Sequence, residues 1–162
     1  MTRGSGEVDQ PMPLRSRFLC TLTGEVGSPM EVGLMPQGER RIVPILGGQF
    51  DGPRLRGRVL PFGADWMSIR PDKVIAIDCR VVLETHDGAL IYMYYSGFRH
   101  GPPSVMEALG RGESVDPSEY YFRIAPTFET GSDEYSWLNR IVAVGVGRRV
   151  PAGPIYDIYE IT

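Results

Sequence analysis

The residues best suited to moving a proton or polarising a carbonyl fall in four short stretches. In Gly63-Ala64-Asp65-Trp66 an acid precedes a large aromatic near the end of a strand-like run. An aspartate pressed against an indole in a dry pocket takes a raised pKa and works as general acid or base. The competing reading is a turn-forming Asp followed by a core Trp. In Gly97-Phe98-Arg99-His100-Gly101, His100 is a candidate proton carrier, although a single loop histidine is also commonly structural or exposed. In Glu119-Tyr120-Tyr121-Phe122-Arg123, alternation puts Tyr121 and Arg123 on one face, with Tyr120 and Phe122 opposite. A phenol beside a guanidinium receives an oxyanion or a carboxylate; the same pair also stacks on an exposed strand. In Trp137-Leu138-Asn139-Arg140, Trp137 offers a flat apolar wall and Asn139, the sole asparagine of the chain, a donor and an acceptor. Orienting a ligand and starting a hairpin are both open to that amide.

Other chemistries are pruned by absence. His86 and His100 have no i,i+4 partner and no neighbouring cysteine, so a zinc site is not expected. There is no GxSxG and no GxxxxGK, and Gly145-Val146-Gly147-Arg148-Arg149 lacks the third glycine and the helix of a dinucleotide fingerprint. No cofactor is expected. Lys73 is the single lysine, in the turn-like Pro71-Asp72-Lys73, a poor place for a desolvated Schiff-base amine. Cys20 and Cys79 lie in apolar runs and read as buried free thiols, with a disulfide as the alternative. Met1–Pro13 shows no secretory pattern, which predicts a reducing, cytoplasmic setting. With 17 basic and 20 acidic residues, net −3, bulk charge draws the chain to neither nucleic acid nor an anionic membrane. No apolar run approaches the roughly 18 residues of a membrane span.

Positioning those residues falls to short strands. Of 162 residues, 20 are Gly and 14 Pro, too much punctuation for a helical bundle, while 42% hydrophobic residues are enough for a packed core. Runs rich in Val, Ile, Tyr and Phe predict strands near 17–26, 40–47, 54–62, 66–70, 74–85, 89–97, 119–130, 137–147 and 155–161. Breakers such as Pro36-Gln37-Gly38 and Asp51-Gly52-Pro53 separate them. Asp87-Gly88 predicts a tight hairpin turn. On its first arm Ile75, Ile77, Cys79, Val81 and Leu83 share a face; on its second, Ile91, Met93 and Tyr95 do. The opposite face of the second arm, Leu90, Tyr92 and Tyr94, is also fairly apolar, which predicts a homodimer. One helix is expected over 102–110, with Ser104 as N-cap, Glu107 completing a capping box, and one barrel end to cover. Residues 1–13 read as a flexible arm and 14–162 as one domain.

Taken in order, GPRLRGRVLPFGADW, IRPDKV, LETHDGALIYMYYSGFRHGPP, DPSEYYFRIAPTFETG, WLNR and YDIYEI resemble the domain of unknown function 3237 family, from about Phe18 to Ile161. The resemblance implies an all-β fold, a closed antiparallel β-barrel of about 8–10 strands with a central cavity and one short helix covering an end. It implies no activity. The chain departs from the family pattern at three places. Phe62 and Lys73 stand where glycine is usual, and Tyr94 and Tyr95 replace a polar segment. Phe62 and Tyr95 would make the cavity narrower and more aromatic, suited to a flat, unsaturated ligand.

The expected function is therefore that of a β-barrel holding a hydrophobic small molecule, with a cofactor-independent isomerase, cyclase or lyase favoured. Asp65 or His100 would shuttle a proton, and Tyr121 with Arg123 would polarise a carbonyl. Phe62, Trp66, Tyr95, Trp137 and Asn139 would hold the substrate. A non-catalytic carrier or sensor, and an oligomeric structural protein with a filled barrel, are the alternatives.

Overall fold

The computed structural model describes residues 9–162; residues 1–8 of the expected N-terminal arm lie outside the described residues. Eleven strands follow one another: β1 (Ser16–Val26), β2 (Met30–Met35), β3 (Gly38–Asp51), β4 (Gly57–Val59), β5 (Gly63–Asp65), β6 (Ser68–Ile69), β7 (Ile75–Thr85), β8 (Leu90–His100), β9 (Tyr121–Glu129), β10 (Val142–Val150) and β11 (Gly153–Ile161). All pairings are antiparallel. The sheet runs β1-β11-β10-β9-β8-β7-β4-β3, and β1 pairs again with β3 to close it. The result is a closed eight-stranded barrel; β5 and β6 continue the place of β4 between β3 and β7, and β2 is a flap on β3. Eight strands give an interior just wide enough to be filled by side chains or to admit one small ligand.

Closure follows from alternation. On β7 the residues at 75, 77, 79, 81, 83 and 85 are buried and those between them are not, and β9 alternates in the same way with Phe122, Ile124 and Phe128 inward. Such period-two burial puts one face of each of these strands on a common core. The turn at Asp87-Gly88 sits where expected: Gly88 has φ 89°, and Thr85 Oγ1 accepts the Ala89 N–H at 2.8 Å. On β8 the inward set is Ile91, Met93 and Tyr95, as its periodicity predicts.

Several element boundaries differ from expectation. The strand expected at 137–147 is a 3₁₀ turn over Ser136–Arg140 followed by β10, because Tyr135 and Leu138 must both turn into the core. The run 54–62 yields only Gly57–Val59, since Leu55 is drawn inward before pairing begins. The strand β2 was not foreseen; its side chains are mainly apolar yet exposed, with one charged residue and one glycine, and show no alternation to read. Helix α1 (Pro103–Gly110) is present, but Pro102 occupies the N-cap and no side chain caps it, so Ser104 and Glu107 form no capping box. Proline at the first helical position supplies the start instead, its missing N–H being one the helix could not use. Cys20 and Cys79 are free and buried. No helix among the described residues is long and apolar enough to cross a membrane.

Candidate functional site

Inward-facing side chains near one end of the barrel leave a chamber of about 50 Å³ unfilled. Asp65 reaches it because β5 pairs with β7 so that Asp65 stands opposite Cys79, whose side chain is inward. Tyr95 follows Ile91 and Met93 on the inner face of β8, and Arg99 is next but one along the same face. Arg149 ends the inner row Ala143, Gly145, Gly147 of β10, and Tyr156 enters from β11. The row of small residues on β10 has a purpose: a Cβ on Gly147 would lie 2.5 Å from the Phe122 ring, and one on Gly145 equally close to Ile124. Those two side chains lie across β10, and the Phe122 ring meets Tyr156 edge-on at 5.2 Å. Tyr156 in turn meets Tyr95 at 5.4 Å.

Chamber electrostatics are set by burial. Asp65 is pushed up from 3.8 to about 6, chiefly by loss of solvent. The Asp78 N–H, donated to Asp65 Oδ1 at 3.0 Å, and the charges of Arg99 and Arg149 act the other way and do not win. Burial also raises the Tyr95 and Tyr156 phenols and the Cys79 thiol, so all three stay neutral near pH 7. Arg99 is depressed by burial and by its neighbour Arg149, and Arg149 by burial. Arg99 Nε is buried with no hydrogen-bond partner. Its guanidinium stands 5.4 Å from the Phe122 ring centroid.

A second, larger hollow of about 570 Å³ opens from this chamber to the surface beneath α1. The two share Val26, Val43, Met67, Ile75, Arg99 and Arg149, so the chamber is the floor of one continuous site. Met106 and Leu109 of α1 form one wall of the mouth, and Arg41 and Lys73 stand on others. Its walls are mainly apolar, with Arg41, Lys73, Arg99, Glu107 and Arg149 as the charged groups that line it. Helix α1 thus covers a barrel end, as expected.

Of the nine residues singled out from sequence, the structure brings two into the site, Asp65 and Tyr95. Phe62 is 71% exposed, beyond the barrel wall, and narrows nothing. Trp66 lies on the outer face, where Arg80 stands 5.7 Å over its ring; its position follows because neighbours along a strand point oppositely. His100 is exposed and stacked on Tyr121 with ring centroids 4.9 Å apart, one residue out of phase with inward-facing Arg99. Tyr121 and Arg123 share a face as read, but it is the outer one, and Arg123 Nη1 donates to the Phe122 carbonyl. Trp137 is partly buried on the 3₁₀ turn, with the Arg54 guanidinium 3.8 Å from its ring centroid. Asn139 is exposed and clamps Thr130, accepting its N–H at 2.8 Å and donating to its carbonyl at 2.9 Å. That amide is a loop fastener.

The residues missed are Arg99, Arg149 and Tyr156. Counting by twos from Tyr95 reaches Arg99, and from Ala143 reaches Arg149; the histidine beside Arg99 drew attention to the wrong parity. Among the described residues no group of three or more His, Cys, Asp or Glu is placed to hold a metal ion.

Comparisons with known proteins agree with this architecture. A family model described as protein of unknown function (DUF3237) matches residues 14–161. An uncharacterised UPF0311 protein of Rhodopseudomonas palustris is 40% identical over 148 residues, 91% of this chain and 97% of that one. A crystal structure of a conserved protein of unknown function from R. palustris superposes with a TM-score of 0.91 at 39% identity, covering 94% of this chain and all of that one. A β-barrel-like protein from Acinetobacter baumannii gives 0.83 at 42% identity, over 95% and 99% of the two chains. An enzyme from the fungus Penicillium herquei shares the fold, with a TM-score of 0.72 at 21% identity over 95% and 98% of the two chains. The chain belongs to the DUF3237 family.

Proposed function

We propose that the barrel holds a hydrophobic, partly unsaturated small molecule and is a cofactor-independent enzyme of the isomerase, cyclase or lyase type. The observation that carries this reading is Asp65: a carboxyl pushed up to about 6, on the floor of an apolar pocket and facing two guanidiniums. Such a group accepts and returns a proton near neutral pH. As carboxylate it takes a proton from a carbon next to a carbonyl. The C–H electron pair becomes the new C=C bond, and the carbonyl π pair moves onto oxygen, where Arg99 or Arg149 stabilises it. Asp65 then returns the proton at another carbon, completing an isomerisation with atoms and charge balanced. Val43, Ile45, Met67 and Ile75 hold the skeleton and exclude water.

The test uses a neutral bicyclic ketone probe, 2-tetralone, whose enol is conjugated with its aromatic ring, in D2O. Binding is followed by ligand-observed NMR, and deuterium entry beside the carbonyl is the readout. The wild-type protein binds the probe and speeds exchange over buffer, and Asp65→Asn binds within about threefold but gives no acceleration. Binding without acceleration by the wild type leaves the carrier reading. No binding at all favours the filled barrel.

Two further parts of the reading have their own support. The outer faces of β8, β9 and β10 expose Phe98, Tyr121, Val144 and Val146 together, which suits a homodimer and is checked by light scattering on the eluting protein. The two free buried thiols suit a reducing compartment such as the cytoplasm.

A further inference from the structure

We propose that the site is an oxyanion receptor: its ligand carries a carboxylate or an ionised enol or phenol oxygen that seats between Arg99 and Arg149, with its apolar body in the mouth beneath α1. This rests on the reading of the barrel interior as a small-molecule site and names the chemical class it takes.

Charge balance supports it first. Two guanidiniums, Arg99 and Arg149, face the chamber against one carboxyl, Asp65, and no ion pair joins them among the described residues. The chamber is therefore short of negative charge, in a protein whose net charge is −3. Charges taken out of water in folded proteins are paired, and among the described residues neither Arg99 nor Arg149 has an ion-pair partner. The second support is geometric. Arg99 Nε is buried and has no acceptor among the described residues, although an arginine presents five donors in a fixed fork suited to a planar oxyanion.

Volume assigns the orientation. The chamber holds about 50 Å³, enough for a head group and too little for a ring system, while the mouth holds about 570 Å³ and is walled by Met67, Ile69, Met106 and Leu109. The charged end goes in first.

The mouth repeats the same sign. Arg41, Lys73, Arg99 and Arg149 line it against one carboxylate, Glu107. Arg41 is already paired with Glu31 at 3.1 Å and Glu39 at 2.9 Å, so it contributes little. Lys73 has no ion-pair partner among the described residues, and it is the one described non-glycine residue with positive φ, at 70°. An L side chain is costly in that conformation, and a lysine that holds it at a pocket rim puts an ammonium where approaching anions pass.

The experiment compares 2-naphthoate with its neutral isostere 2-naphthamide by isothermal titration calorimetry at pH 7.5, on the wild type and on Arg99→Met, Arg149→Gln and Lys73→Gly. The wild type binds the naphthoate about tenfold or more tightly than the amide. Arg99→Met and Arg149→Gln each reduce that ratio to about threefold or less while leaving amide affinity in place. Lys73→Gly, which relieves the backbone, weakens the naphthoate about two- to fivefold and the amide not at all. A nitronaphtholate replaces the naphthoate in a second arm; tighter binding of one anion distinguishes an enolate-type oxygen from a carboxylate. Equal affinity of wild type for naphthoate and naphthamide overturns the oxyanion receptor and leaves the small-molecule site standing. Binding of neither compound, with 2-tetralone also unbound, overturns both. Should Arg99→Met fail to fold, Arg149→Gln and Lys73→Gly carry the comparison, and an unchanged ratio in both overturns the proposal.

Discussion

Asp65 Oδ1 accepts the Asp78 backbone N–H at 3.0 Å, in the place where a strand carbonyl would ordinarily stand. The reason lies one residue on. Trp66 donates its N–H to the Asp78 carbonyl, but its own carbonyl is engaged by the Arg40 guanidinium, so the ladder between β5 and β7 is one acceptor short. Asp65 fills that gap with its side chain and is thereby fixed inside the barrel. A strand defect and a buried acid are one feature.

Removing the charge of Asp65 should stabilise the protein in a defined pH window. Its native pKa, about 6, lies above the ordinary 3.8, so between those values the native state binds more protons than the unfolded state and stability falls as pH rises. Above about 6 the penalty is complete. The other groups facing it, Cys79, Tyr95, Tyr156, Arg99 and Arg149, do not titrate in that interval. Asp65→Asn keeps an acceptor for Asp78 and should gain about 3 kcal/mol at pH 8, or roughly 6–12 °C in Tm, and nothing at pH 3. Calorimetry at the two pH values checks it; an Asn variant less stable at pH 8 contradicts a strained buried acid.

His100→Ala should leave deuterium exchange of 2-tetralone unchanged within about twofold. His100 is exposed and stacked outside on Tyr121, so its imidazole has no path to the chamber. A loss of exchange comparable to that of Asp65→Asn would put the reacting centre elsewhere.

Gly147→Ala should be costly for so small a change. The added Cβ would meet the Phe122 ring at 2.5 Å, forcing that ring further into the chamber. Overpacking of this kind costs about 1–3 kcal/mol, read from urea unfolding, and 2-tetralone affinity should fall with it.

At the far hairpin, Tyr135 donates to Asp87 Oδ1 at 2.9 Å and Thr85 Oγ1 also bonds to that carboxylate, which lowers Asp87 to about 2. A depressed carboxyl contributes stability above its unfolded pKa and loses it as pH falls through its folded one. Tyr135→Phe should therefore lower Tm at pH 7 by more than at pH 2, and the two proteins should converge below that pH, where Asp87 is protonated in both. An equal decrement at both pH values would mean that the hydroxyl contributes independently of the Asp87 charge.

Lys73→Gly should unfold at a urea concentration equal to or above that of the wild type. Glycine takes the positive φ of that turn freely, offsetting its greater unfolded-state entropy, so the net change should lie within about 1 kcal/mol. A larger loss would show that the lysine side chain supports the turn itself.

Much of this was readable in the chain. Period-two alternation on β7 and β8 identified the inward rows, including Cys79 and Tyr95, because a strand must send successive side chains to opposite faces. The Asp87-Gly88 hairpin and the helix at Pro103 are local in origin and were legible for the same reason. Asp65 was legible as a candidate acid beside an aromatic; that the aromatic points away from it was not. Alternation also paired Tyr121 with Arg123 correctly, yet could not say which face of β9 turns inward, since Tyr120 and Phe122 offered an equally aromatic alternative. That short, turn-separated strands close on an apolar face is written locally, because hydrophobic periodicity and Gly/Pro placement are properties of neighbouring residues. Which polar side chains share the chamber is a matter of how the barrel closes. Arg99, Arg149, Tyr156 and Asp65 come from four different strands, and their meeting depends on register and closure, which no local pattern encodes.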